Sequence, residues 1–484
     1  MTQSLVERHS PSVARPSLGA RAPFRRSAEA HVPIDAKIEG EIPPWLRGEV
    51  VRTCPAVFET GGWRAQHWFD GLGMIYAFRI GAASVDFRSR MLDSRAAREA
   101  SSGDVNLASF GTPTSRPLWR RLFSPLPRAT DNANVNVVPV GGELVAMTES
   151  DTQLAIDPET LAAVGRVAYA DDALGDAIMS AHPHFDFERG RVVNVATRMG
   201  SGVTISVYEH APAARLRHVV ASWRTDRIPY IHAFGLTPAH AILVAHPFSA
   251  QPLSFLWSER GFIDHFAWQP SSGTRLVVMD RATGAAREHT TDAFFVFHVV
   301  NAFERDGATV LDVLAYDDAG IVASLRVDRL LRQLPDLRPS LLRVTMRPGV
   351  ERAEVEKLSD QGFEFPSTSY RRVNGRDYRY VWGAADGPQP GGAYTSSVVK
   401  VDLQTGKSTS FSDAAYVFGE PIFVARPGAA AEDDGVLVSV GSAVDGDSSV
   451  LAVVDASSMH LVASAEVSHA IPLGFHGSFV RAGG

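Results

Sequence analysis

The chain has 484 residues, 45% of them hydrophobic and 21% charged, with a net charge of −7 at neutral pH. That balance argues against a disordered chain, and against nucleic acid as a partner, because no excess of cations is present to neutralise phosphates. The one cysteine, Cys54, excludes an internal disulfide and any cysteine-built metal cluster, so a metal would fall to His, Asp or Glu and nothing demands an oxidising compartment.

Residues 1–33 are rich in Ser, Arg, Ala and Pro and read as a flexible N-terminal tail, a composition that also fits an organellar transit peptide. Residues 34–484 read as one domain. Short runs of Val, Ile, Phe and Tyr recur there, closed by Gly, Asp, Asn or Pro: ELVAMTES (143–150), GRVVNVATR (190–198), TRLVVMDRATG (274–284), ATVLDVLAY (308–316), SVVKVDLQTGK (397–407) and GVLVSVGS (435–442). These are predicted strands. The longest apolar run, AFFVFHVVNAF (293–303), is about half a bilayer span and contains a His, so no transmembrane helix is expected. Helical periodicity is approached by VASLRVDRLLRQL (322–334) and sustained nowhere, which disfavours alternating strands and helices. The predicted class is all-β. The phrase Asp-x-x-Thr-Gly at 280–284 and 402–406, loosely echoed by IDPET (156–160), suggests repeated β-propeller blades, though a large sandwich also fits.

With one Cys, the 16 histidines are the strongest transition-metal ligands available. His9, His31, His210, His218, His240, His289 and His460 lie in polar or turn-like surroundings and read as structural or exposed. His182, His232, His298 and His476 lie in apolar contexts, where an imidazole needs partners for its ring nitrogens. Their separations of 50, 66 and 178 residues match no local metal motif, so they act together only by converging from distant elements, as the inner strands of a propeller do. Four separate, satisfied core histidines are the alternative. Glu149, Glu364 and Glu420 also lie in apolar stretches, as acceptors for metal-bound imidazoles or as partners of buried arginines.

The phrases EIPPWLRGEVVRT (41–53), HWFDGLGMIYAF (67–78), TDNANVNVVPVGGELVAMTE (130–149), AHPHFD (181–186), PYIHAFGLT (229–237), FHVVNAFE (297–304), FEFPSTS (363–369), GEPIFVARPGAAAEDDGVL (419–437) and IPLGFHGSF (471–479) resemble, in order, the carotenoid cleavage oxygenases. The resemblance implies a seven-bladed β-propeller, capped by loops and short helices over an axial ferrous ion (Fe2+). It makes His182, His232, His298 and His476 the catalytic iron ligands, with His184 a neighbour and not a ligand. Glu149, Glu364 and Glu420 fall at the positions that accept from three of the imidazoles, leaving His182 without one. Val135 matches the position whose methyl groups shield an open iron site. The implied reaction uses O2 to split one C=C bond of a carotenoid or apocarotenoid into two carbonyl products.

Such a hydrophobic polyene implies contact with a membrane surface and a cytoplasmic, peripherally membrane-associated protein. The stretch SRPLWRRLFSPLPRAT (115–130) offers Trp119, Leu122 and Phe123, with Leu118, beside Arg116, Arg120, Arg121 and Arg128 as a docking segment at the substrate mouth. SFLWSERGFIDHFAW (254–268) is a second lip, and capping of the core by both stretches is the alternative. RSRMLDS (88–94) and ASFGTP (108–113) resemble the branch with animal β-carotene oxygenases and the retinal pigment epithelium isomerohydrolase. Stilbenoid-cleaving members carry a Lys near Ala129–Asn132 that this chain lacks. Stilbenoid cleavage and polyene isomerisation on the same iron are the alternative activities. Where the family commonly has Arg-Asn-Gly-Pro-Gly, this chain has Arg52, Thr53, Cys54, Pro55 and Ala56, so a glycine turn is not expected there.

Overall fold

The computed structural model describes residues 27, 29–330, 332, 335, 337–386, 395–444 and 448–483. Most of the predicted tail thus lies outside the described residues. The strand Ala30–Asp35 pairs with Val85–Met91. Beyond it the chain is mostly β, as its alternating β-branched and aromatic runs dictate.

Among the described residues, seven antiparallel sheets hold four to six strands each. Most are meanders of consecutive strands, such as Phe295–Arg305, Ala308–Tyr316, Ser340–Met346 and Glu354–Ser359. The chain's two ends are stitched across. Gly477–Arg481 pairs with Gly48–Val57 in the first sheet, and Lys37–Gly40 pairs with Leu461–Val467 in the last. This gives edge strands partners they would otherwise lack. Arg52 to Ala56 lie inside Gly48–Val57 with no positive φ, so extended backbone replaces the glycine turn.

The predicted turn device is real and occurs once more than the sequence suggested. At Asp157, Asp280, Asp402 and Asp455 a carboxylate oxygen accepts N–H groups two or three residues on. The fifth residue, Leu161, Gly284, Gly406 or Met459, donates its N–H back to the aspartate carbonyl and takes a positive φ. Glycine adopts that geometry freely, and Leu161 and Met459 adopt it because the aspartate over-determines the turn.

The stretch 322–334, where helical periodicity comes closest, does not form one continuous helix. Gly320–Ser324 and Val327–Leu330 are short helices, and positions 331, 333 and 334 lie outside the described residues. Backbone groups of Leu325 and Val327 instead bond Trp68 and Gln66, so a tertiary contact outcompetes the middle turn. Among the described residues no helix is long and apolar enough to cross a membrane.

Candidate metal centre and apolar cavity

The four singled-out histidines meet. One ring nitrogen from each of His182, His232, His298 and His476 lies within 4.8 Å of the others. Only His298 belongs to a strand; the other three stand in loops at strand ends, contrary to the expected strand positions. In Phe295–Arg305 the pairing register shifts between Val296 and Val299 and again before Asn301, and the bulge re-aims His298. Ser180 accepts from the His182 N–H and donates to the His232 carbonyl, tying two loops together. His476 is anchored through its N–H to the Val135 carbonyl, at 3.1 Å.

Three carboxylates complete the cluster. Nδ1 of His232 donates to Glu149 at 2.5 Å, that of His298 to Glu364 at 2.6 Å, and that of His476 to Glu420 at 2.8 Å. Among the described residues no glutamate bonds His182. These bonds place the proton on Nδ1 and leave each Nε2 lone pair facing inward. Burial holds His182 well below the usual imidazole range and His476 down at about 4, so both stay neutral. Inward lone pairs without protons repel unless a cation lies among them. Nε2 atoms of His182 and His232 are 2.9 Å apart, and those of His298 and His476 3.1 Å. With metal–imidazole bonds of about 2.1 Å, ligands at right angles stand about 3.0 Å apart. The donor set therefore fits a single metal ion.

Sequence reasoning missed the outer partners. The Tyr316 hydroxyl donates to Glu364 at 2.6 Å, and the Tyr230 hydroxyl bonds Glu149. Glu420 accepts the Gly477 N–H at 3.2 Å and lies 3.8 Å from the buried Arg52 guanidinium. Burial raises the Glu420 carboxyl, but His476 and Arg52 more than offset this, and the net shift is downward. Phe365 takes a φ of +54°, uncommon for a non-glycine, which turns Glu364 onto His298 while the phenyl ring stays on the imidazoles. The available signal was position alone, since Tyr230 precedes His232 by two residues and Phe365 follows Glu364.

Burial does not by itself select the four. His67, His210, His246 and His289 are as buried, and His210 and His289 bond backbone carbonyls despite their polar sequence contexts. His184 is engaged by the Phe234 carbonyl and the Tyr370 hydroxyl, away from the cluster.

His232, His298 and His476 form part of the wall of an apolar cavity, together with Trp68, Phe69, Phe110, Phe297, Phe475 and Val135. Its polar wall groups include Glu149, Glu364 and Asp70, and among the described residues no Lys or Arg lines it. Burial pushes the Asp70 carboxyl up to about 6, against donors from Phe110, Gly111 and Thr112.

Near this cavity the helix Leu118–Phe123 exposes Leu118, Trp119, Leu122 and Phe123. Its loop is anchored at Val105 and Ala108, which line the cavity. Leu253 and Trp257 are also exposed, whereas Phe255 and Ile263 of the second lip pack inward. Arg116 departs from the expected cationic fringe. It is buried, and its guanidinium bonds the Arg120 and Ser124 carbonyls, so it closes the helix's C-terminus.

The family model described as retinal pigment epithelial membrane protein matches residues 23–481. An apocarotenoid-15,15'-oxygenase of Synechocystis sp. is 31% identical, with 92% of each chain covered. A carotenoid isomerooxygenase of Galleria mellonella is 30% identical over 86% of each. A β,β-carotene 15,15'-dioxygenase of Homo sapiens is 28% identical over 94% of each. Among solved structures, cobalt-substituted Synechocystis ACO superposes with a TM-score of 0.84 at 28% identity, covering 97% of this chain and 99% of that one. Matched along nearly its whole length, the chain belongs to the retinal pigment epithelial membrane protein family, beside the carotenoid and apocarotenoid oxygenases just named.

Proposed function

We propose that the chain is an Fe2+-dependent dioxygenase that splits one C=C bond of a carotenoid or apocarotenoid with O2 into two carbonyl products. The observation that carries this reading is the convergence of four imidazoles, three of them on the wall of an apolar, aromatic-lined cavity. His182, His232, His298 and His476 hold the iron, and Glu149, Glu364 and Glu420 orient three of them. The seven sheets are its seven propeller blades, forming one domain behind the N-terminal tail, with the cage on the axis. When bound, a ferrous ion supplies a Lewis-acidic centre at which dioxygen and the polyene meet. Neutral imidazoles leave the ion's charge undiminished, and the glutamates offset it from the next layer while stiffening the rings. Val135, on the cavity wall, narrows the space beside the cage with its methyl groups. Trp68, Phe69, Phe297 and Phe475 hold the polyene and keep water out. A wall that, among the described residues, carries no Lys or Arg favours a hydrocarbon chain over a phenol.

The exposed Leu118, Trp119, Leu122 and Phe123, with Leu253 and Trp257, rest on a membrane surface and admit substrate from it. Arg120 lies over the Trp119 ring, and Arg121 bonds the Trp257 carbonyl, which ties the two lips together. Flotation with phosphatidylserine-containing vesicles should recover the protein, and Phe123→Asp should stay behind; equal recovery of both rules out this docking face.

The activity is tested by metal analysis of purified protein and incubation with a β-apocarotenal under 18O2. Stoichiometric iron and two labelled carbonyl products are expected, with no reaction under nitrogen. Isomerised polyene formed equally under nitrogen, or aromatic aldehydes from resveratrol alone, would replace this reading with one of its alternatives.

A further inference from the structure

We infer that Arg52 is a positioning residue that sets the charge of the cage, an inference that rests on the iron site just proposed. Its side chain is fully buried, where a cation is tolerated only if it is paired. One guanidinium nitrogen donates to the Glu420 carbonyl and the other to the Phe475 carbonyl, each at 2.7 Å, and the latter lies 3.8 Å from the Glu420 carboxylate. The fork thus grips both the glutamate behind His476 and the residue before His476. Two glycines make room for it. A Cβ at Gly477 would come within 2.5 Å of the Arg52 Cγ, and one at Gly419 within 3.3 Å of its terminal nitrogen.

The three glutamates are not equivalent. Glu149 and Glu364 line the cavity and are bonded by the neutral hydroxyls of Tyr230 and Tyr316; Glu420 lies behind the wall and faces a cation. Asp70, the other carboxylate on the wall, has its own three donors. With four neutral imidazoles, a divalent ion and three carboxylates leave one surplus negative charge, and Arg52 cancels it. A cage of zero net charge is the form least penalised by its apolar surroundings when the ion is ferrous. Removing the arginine's charge favours the ferric ion.

The test is an anaerobic redox titration of iron-loaded protein, followed by the ferric electron-spin signal. Arg52→Met should raise the ferric-to-ferrous ratio at fixed potential about tenfold, equivalent to a midpoint about 59 mV lower for a one-electron couple. Arg52→Lys, which keeps the charge, should stay near wild type. An iron-loaded Arg52→Met protein with wild-type midpoint overturns the inference, as does a Lys variant displaced as far as the Met variant. Should Arg52→Met not fold, Arg52→Met/Glu420→Gln, which removes both charges, should fold, bind iron and titrate near wild type. Failure of that pair also overturns it, because the fork's carbonyl contacts rather than its charge are then what matters. Wild-type protein that binds no iron instead defeats the proposed function.

Discussion

Carboxylates close hydrogen-bond networks in two regions of this molecule, over very different distances along the chain. At the hairpin turns, the carboxylate of Asp157, Asp280, Asp402 or Asp455 accepts N–H groups two or three residues away. At the cage, Glu149, Glu364 and Glu420 meet imidazoles 83, 66 and 56 residues away. A turn of the first kind is partly solvated and its defining bonds are local, so water can substitute for a lost one. The cage exists only once the sheets are assembled, and each of its groups, if orphaned, is left buried.

The largest expected difference comes from the ligands. His298→Ala should lose metal and all measurable activity, whereas His184→Ala should keep its metal, since that ring bonds Phe234 and Tyr370 instead. Metal analysis of both variants checks this, and a fully metal-loaded, active His298→Ala would refute the cage. One layer out the effect should be graded. Glu364→Gln keeps an acceptor for His298 but loses the charge, and should lower metal affinity or activity by about 10–100-fold. Competition with a chelator measures it, and a loss as complete as that of His298→Ala would mean the carboxylate is itself a ligand.

The turns should barely respond. Burial raises the Asp455 carboxyl, but the N–H and hydroxyl groups of Ser457 and Ser458 more than offset it, so its net shift is downward. A depressed carboxyl stabilises the fold above the unfolded value of about 3.9, and that contribution is lost as pH falls through the folded value. Asp455→Asn should therefore cost about 0.5 kcal/mol after allowance for solvent screening. The difference from wild type should be constant between about pH 7 and 5, begin to shrink near about pH 4 and vanish only below the depressed folded value. Urea unfolding across that range measures it; a cost matching that of a core truncation would show that the turns are as interdependent as the cage.

The contrast also explains what was legible beforehand. Asp-x-x-Thr-Gly could be read because the bonds that define the turn are local, and the relative at Asp455 escaped notice because Ser458 and Met459 replace both the threonine and the glycine. The four histidines stood out because imidazole in an apolar stretch is costly, and family resemblance then grouped them. Tyr230, Tyr316 and Arg52 could not be assigned, because their roles depend on which carboxylate folds against them. The break between Gly320–Ser324 and Val327–Leu330 was equally hidden, since its competitor is a backbone about 260 residues upstream at Gln66 and Trp68.

The sequence by itself determined the β class, through strand runs too short and too β-branched for helices, and the kind of chemistry, through histidines that replace cysteine as ligands. The tertiary structure alone decided that four of the buried imidazoles share one point, that a bulge turns His298 toward it, and that Arg52 lies behind Glu420. Residue type and local pattern set what each segment can form and which groups demand partners. Which partners they receive depends on contacts between segments tens to hundreds of residues apart, and only the assembled sheets bring those segments within hydrogen-bonding distance.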